Sequence, residues 1–425
     1  MNTQRDRRVA FARLLGSAVG SQALLSAASF AVGLILIRRT PDAQYGAYVL
    51  ALGAVLLAAS LQNAFINPLL SNRFSRLDQP GRANLIGGIQ REQRRLLAIA
   101  ATVTVGGVAS LWHFDLLDGR SGPLVLATGA AAIAVMHREF VRLVLLAHRR
   151  PQDVLRCDLL HVALMVAGAA LATLTPMPAL AAIVSLAVAA LASGQLLSRA
   201  LFRHEAWNPR APARALHEMA LLAAWSTVGA AIHWTFSQGS LYVVASRLDV
   251  ASVAAIAATR LLLMPMNLLS TGIGSLMLPL ASGWLHEHGA TVLLRRLLGF
   301  ALALGAATAC YLALLWWARE WLFASVLHKA FADRDALLLM WGLIFLVMVV
   351  RDQLVYLLAA EGRFRALTLL TLASATVSLA ASWAAMARFG VVGALAGMLA
   401  GEALSLLGIV WLSWRRPPHA VLAPA

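Results

Sequence analysis

Apolar residues run along this chain in long blocks separated by short polar stretches. A helix needs about 20 apolar residues to cross a bilayer, and twelve runs approach that length: 14–37, 45–67, 96–113, 123–147, 158–175, 179–201, 218–244, 251–277, 293–317, 336–360, 367–387 and 390–413. The pattern predicts an all-α polytopic membrane protein. The first run follows Arg5, Arg7, Arg8 and Arg13 and is too long for the core of a secretion signal, so it reads as an uncleaved helix.

Composition agrees. Of 425 residues, 60% are hydrophobic and 13% charged, too few charges to clothe a soluble fold of that size. The formal net charge of +16 would suggest nucleic acid in a soluble domain. Here most of the basic residues fall between the apolar runs. With both termini cytoplasmic, the cytoplasmic segments and flanking helix ends carry 23 Lys and Arg, the outer ones 8. That bias sets the orientation and leaves no nucleic-acid partner to expect. Cys157 and Cys310 lack ligand-like spacing and read as packing residues. No nucleotide loop, metal cluster or nucleophile constellation is visible, so neither an enzyme nor a cofactor is expected.

The chain also repeats. "REFVRLVLLAHRR" (138–150) aligns without gaps to "RDQLVYLLAAEGR" (351–363), 213 residues later. Arg138 pairs with Arg351 and Glu139 with Asp352. Two looser echoes, 178–184 with 393–399 and 45–48 with 253–256, have nearly the same offset. Two six-helix lobes follow, 1–202 and 218–425, joined by a cytoplasmic linker at 203–217. An even number of crossings gives both lobes the same orientation, as in transporters that rock two halves about a central substrate.

Several segments resemble a known family. "LILIRRTPDAQYGAYVLALG", "LYVVASRLDVASVAAIAATRLLLMPMNLL", "LAAEGRFRALTLL" and "RFGVVGALAGMLAGEALSLLGIV" are similar, in order and spacing, to polysaccharide-unit flippases. These are the Wzx-type branch of the multidrug/oligosaccharidyl-lipid/polysaccharide (MOP) exporter superfamily. The resemblance implies a MATE-like V-shaped bundle in the bacterial inner membrane. It also implies alternating-access flipping of an undecaprenyl-diphosphate-linked glycan, with membrane lipids and glycan polymerase or assembly proteins as partners. Cation exporters of that superfamily usually carry a buried carboxylate. The first run here has no acidic residue, while four arginines lie inside runs, which favours an anionic cargo.

Depth ranks those four. Arg138 and Arg351 lie ~22 Å into a ~30 Å core, close enough to the cytoplasmic face to snorkel, and Arg142 is one turn nearer. Read blandly, they snorkel, with Glu139 bridged to Arg142 at i+3 rather than to its neighbour Arg138. The functional alternative has Arg138–Glu139 and Arg351–Asp352 as matched pairs that bind diphosphate. Arg260 lies ~14 Å deep, too far to snorkel, and Pro265 predicts a kink beside it. It is either a cavity residue or the partner of Glu402, whose expected role is neutralising Arg260 or carrying a coupling proton. Gly393, Gly397 and Gly401 suggest close helix packing. Gln22, Asn63, Asn67, His233 and Gln238 read as interhelical or sugar-contacting polar groups, and His161 and Glu218 as interfacial.

Two competing readings remain. "D78-Q-P-G-R82" echoes a turn of major-facilitator transporters at the same place, which would make the chain a secondary transporter of a small anionic solute. A non-transporting scaffold for glycan assembly would instead have its buried arginines packed.

Overall fold

The computed structural model describes residues 2–74, 77–114, 121–205, 207–211 and 220–415, with side chains from residue 20 onward except at 68, 69, 71–73, 204, 220–222, 271, 275 and 276. All regular secondary structure among the described residues is helical, without strands. Among the described residues eight helices are long and apolar enough to cross a membrane, or nine if one bent pair counts as a single span, and the chain is a multi-pass membrane protein.

The first six helices are α1 (Asn2–Arg39), α2 (Asp42–Arg73), α3 (Gln79–His113), α4 (Ser121–Ala147), α5 (Pro151–Ala172) and α6 (Pro178–His204). Then come α7 (Ala220–Arg247), α8 (Val250–Leu261), α9 (Met264–Trp317), α10 (Arg334–Ala360) and α11 (Phe364–Trp414). Helices α9 and α11 each contain a glycine in the left-handed region, Gly289 (φ 78) and Gly390 (φ 50), where the helix breaks. Two expected helices meet at each break.

The chain divides into two compact units, Met1–Ala231 and Ile232–Ala425. That division falls inside α7, downstream of the 203–217 linker. In the first unit α4 packs on α2, α3 and α6, and α5 packs on α1 and α6. In the second, α10 packs on α8, α9 and α11.

Helix α3 starts well before the expected 96. Asp78 caps it, its carboxylate accepting from the Gly81 amide at 3.0 Å, and Pro80 occupies the first turn. Leu85, Ile86 and Ile89 then enter the first unit's core with Phe140, Val144 and Leu197. The segment expected to be a cytoplasmic loop is an amphipathic helix start, and its glycines and arginines hid the 3.6-residue period. The "DQPGR" echo is therefore a helix cap. Arg82 completes it, donating to the Phe74 carbonyl at 3.1 Å. Part of the linker is fixed to the same helix. The Asn208 amide donates to the Ala83 carbonyl at 3.0 Å, and a Cβ at Gly87 would sit 1.8 Å from the Asn208 oxygen. Residues 212–219 of the linker, including Glu218, lie outside the described residues.

The internal repeat is structural. Both α4 and α10 are 27 residues long, and each boundary of α10 lies 213 residues after its counterpart. The turns that follow them match bond for bond. Arg149 and Arg150 donate to the carbonyls of Leu146 (2.9 Å) and Leu145 (3.0 Å), as Gly362 and Arg363 do to Ala359 (3.0 Å) and Leu358 (2.9 Å).

Of the two cysteines, Cys157 is buried in the core as expected, whereas Cys310 is exposed on α9. The glycine ladder of α11 does pack closely against the same helix before its break. A Cβ at Gly397 would lie 2.1 Å from the Ser382 backbone nitrogen, and one at Gly393 2.5 Å from the Ala385 carbonyl. Backbone cannot yield as a flexible side chain does. Gly397→Ala should therefore cost roughly 1–3 kcal/mol through overpacking. In a thermal melt of purified protein it should unfold earlier than Gly299→Ala, a control whose Cβ meets nothing within 4 Å.

Candidate functional site

Three groups of charge lie within the helices, one in the first unit and two in the second. In the first unit, α4 presents Arg138, Glu139 and Arg142 to Asp158 on α5 and Ser21 on α1. Arg138 donates to Glu139 at 2.5 Å and makes a second, very short contact to Asp158. Arg142 bridges the same two acids, Asp158 at 3.4 Å and Glu139 at 3.5 Å, and donates to the Ser21 hydroxyl at 3.3 Å. Ser21 in turn donates to Asp158. Two guanidinium forks thus share two carboxylates, with Asp158 wholly buried and Arg138 only 3% exposed.

This arrangement corrects two expectations. Arg138 turns into the helix packing and does not snorkel. Adjacent Arg138 and Glu139 do pair, because neighbouring residues point only about 100° apart round a helix and the long Arg stem folds back. Asp158 is not among the residues expected from sequence, because the apolar run starts at 158 whereas α5 begins at Pro151 and carries Asp158 about two turns inside. His161, read as interfacial, is buried one turn further along, its Nδ1 3.3 Å from the Ser193 hydroxyl.

In the second unit Arg351 on α10 repeats the theme with one difference. It contacts Asp352 at 2.6 Å and Glu402 on α11 at 2.5 Å, and its guanidinium lies 5.7 Å from the Phe236 ring centre. Arg351 is buried as well, so it too does not snorkel. Glu402 therefore neutralises Arg351, not Arg260 as expected. The second acid also comes from a different helix of the repeat, Asp158 on α5 in one unit and Glu402 on the part of α11 after its break in the other. The position equivalent to Arg142 is Val355, which leaves two carboxylates for a single arginine.

Arg260 stands apart. It occupies the last turn of α8, where the chain breaks at Leu262 and Leu263 before Pro265 opens α9. The two helical pieces are bent by 59°. Pro265 has no N–H to continue the ladder, so the kink predicted from sequence is present. The Tyr311 hydroxyl donates to the Leu262 carbonyl at 2.7 Å, satisfying an acceptor that the break frees. Trp341 donates its indole N–H to the Ile256 carbonyl at 3.0 Å, and its ring centre lies 5.3 Å from the Arg260 guanidinium. The Gln238 side-chain oxygen accepts from Arg260 at 3.2 Å. Among the described residues no carboxylate reaches Arg260. It is the one intramembrane arginine of the four without a counter-charge.

The other polar residues contribute less. Gln238 makes the interhelical bond expected of it. Gln22, Asn67 and His233 are exposed, and the Asn63 side-chain oxygen is buried without a partner. Among the described residues no three His, Cys, Asp or Glu side chains group as a metal site would require.

No protein-family model matches the chain, and no curated protein matches its sequence. Solved structures do match over nearly its whole length. An inward-facing multidrug-resistance MATE family transporter of the MOP superfamily superposes with a TM-score of 0.75 at 14% identity, covering 91% of this chain and 93% of that one. An outward-facing one gives 0.66 at 13% identity, over 96% and 95%. A MOP superfamily transporter from Pyrococcus furiosus, described as having a binding pocket of reverse polarity that suggests a different function, gives 0.66 at 14% identity over the same shares. At such identity the likeness establishes architecture alone: the chain is an all-helical membrane protein with the MATE-like fold of MOP superfamily transporters.

Proposed function

We propose that this protein is an alternating-access transporter of the bacterial inner membrane that flips a polyprenyl-diphosphate-linked oligosaccharide, serving polysaccharide biosynthesis or export. Arg260 carries the reading. A guanidinium inside a membrane helix is expensive unless it is paired or faces a polar ligand. The other three intramembrane arginines have acids. Arg260 has a neutral amide, an aromatic face and a broken helix, a combination that suits an incoming anion such as a diphosphate. An uncompensated positive charge would repel the cationic cargo of multidrug exporters. The reverse-polarity description of the Pyrococcus furiosus structure is a precedent for a changed cargo on this fold.

Arg138, Arg142 and Arg351 are more distant candidates for substrate contact, because their forks are already occupied. Glu139, Asp352 and Glu402 balance their charge. Glycan polymerases or other assembly proteins would work beside the flippase on the same lipid-linked glycan.

The test is a deletion strain. Undecaprenyl-diphosphate-linked glycan is expected to accumulate on the cytoplasmic leaflet and to clear when the gene is restored. Normal glycan export, with loss of uptake or resistance for a small solute, would instead identify a different secondary transporter.

A further inference from the structure

The repeat exposes a second feature, at the turn joining α4 to α5. The turn after α10 is made by Gly362 at φ 71, a conformation that glycine adopts freely. The equivalent turn after α4 has the same hydrogen bonds, yet places Arg149 there at φ 58. Left-handed backbone is unfavourable for an arginine, and such strain persists where the side chain serves a purpose. Arg149 opens onto a hollow of about 600 Å³ lined by His148, Arg150, Asp153, Arg156 and Glu205. Its charges are arranged unequally. Glu205 holds Arg150 at 2.9 Å and His148 at 3.5 Å. Asp153 holds Arg150 at 3.6 Å and Arg156 at 3.8 Å. Both carboxylates are thus engaged with the rim, and Arg149 has no ion pair among the described residues. Three arginines against two carboxylates leave one positive charge. In the other unit, Gly362 and Glu361 stand where Arg149 and His148 stand here.

We propose that this hollow is a binding site for a phosphate-bearing anion, supplied by an acidic phospholipid headgroup or by free phosphate. Its place favours the headgroup. The α5 span begins at Pro151, on the hollow's edge, so the site lies where the apolar part of the chain meets the headgroup layer. A phosphodiester bears a single negative charge and would neutralise the hollow. The fork of Arg149 can meet two phosphate oxygens at once. The site uses neither Arg260 nor any residue that contacts it, and does not depend on what the protein transports.

The full-length protein, purified in a nonionic detergent, would be titrated with phosphatidylglycerol and separately with phosphatidylcholine, and retained lipid counted by native mass spectrometry. One phosphatidylglycerol should be retained in preference to phosphatidylcholine. Arg149→Gly should melt at or above the wild-type temperature, since glycine suits the turn, yet bind phosphatidylglycerol about fivefold more weakly. Arg365→Gln, which removes a charge beside the matching turn of the other unit, should bind as wild type does. Arg156→Gln provides a second variant at an exposed position and should weaken binding in the same direction. Inorganic phosphate is the other arm: if it displaces the lipid at millimolar concentration, free phosphate can supply the ligand. Equal retention of the two lipids, or equal phosphatidylglycerol binding by wild type, Arg149→Gly and Arg156→Gln, would overturn the proposal.

Discussion

Asp158→Ala is expected to destabilise the protein by about 3–5 kcal/mol, the usual consequence of removing one partner from a buried ionic cluster. Asp158 accepts from both Arg138 and Arg142 and is wholly buried. Its loss leaves Glu139 as the one acid for two guanidiniums inside helix packing. A membrane protein with a margin of that order should then fail to accumulate, or should melt far below wild type in mild detergent. A double mutant separates charge balance from lost packing. Arg142→Val copies the residue at the equivalent place in the second unit, Val355. Asp158→Ala combined with Arg142→Val leaves Arg138 with Glu139, one charge of each sign. It should be more stable than Asp158→Ala alone, which a double-mutant cycle reads as a coupling energy. An effect of Asp158→Ala below about 1 kcal/mol, or a double mutant no better than the single, would mean that the cluster does not hold α4, α5 and α1 together.

That cluster also marks where sequence reasoning stopped. Apolar runs and the matched Arg–acid pairs were legible, because helix length and charge order are written in the chain. The repeat could be followed to the residue, since α4 and α10 share both boundaries at one offset. The kink beside Arg260 was legible because proline acts locally. Partner choice was not. Counting residues along a helix gives depth but not the direction a side chain faces, so Glu402 was assigned to Arg260 when it lies against Arg351. Asp158 was missed for a related reason. Hydropathy finds the apolar part of a helix, and α5 starts earlier on polar residues. The amphipathic start of α3 was hidden in the same way, by arginines and glycines that dilute a window average while Leu85, Ile86 and Ile89 still point to the core.

Arg260→Leu should lower transport of the lipid-linked glycan roughly 10- to 100-fold, the equivalent of one charge-assisted hydrogen bond to the cargo. It should do so without loss of fold. No buried acid is stranded when Arg260 is removed, and an uncompensated charge within the membrane is itself unfavourable by roughly 2.5–3.5 kcal/mol on insertion scales. The leucine variant is therefore expected to accumulate normally and to melt at or above the wild-type temperature. A structural arginine would behave in the opposite way, with stability and accumulation falling together. Gln238→Glu sharpens the contrast by leaving Arg260 in place. The Gln238 oxygen already accepts from Arg260 at 3.2 Å, so a carboxylate there supplies the missing counter-charge with almost no change of shape. If Arg260 works by attracting an anion, Gln238→Glu should suppress transport nearly as far as Arg260→Leu does. Arg260→Lys, which keeps the charge but loses the two-pronged fork, should fall between. Wild-type transport by a well-accumulated Arg260→Leu or Gln238→Glu protein would remove this arginine from the mechanism, and with it the observation that favours an anionic cargo.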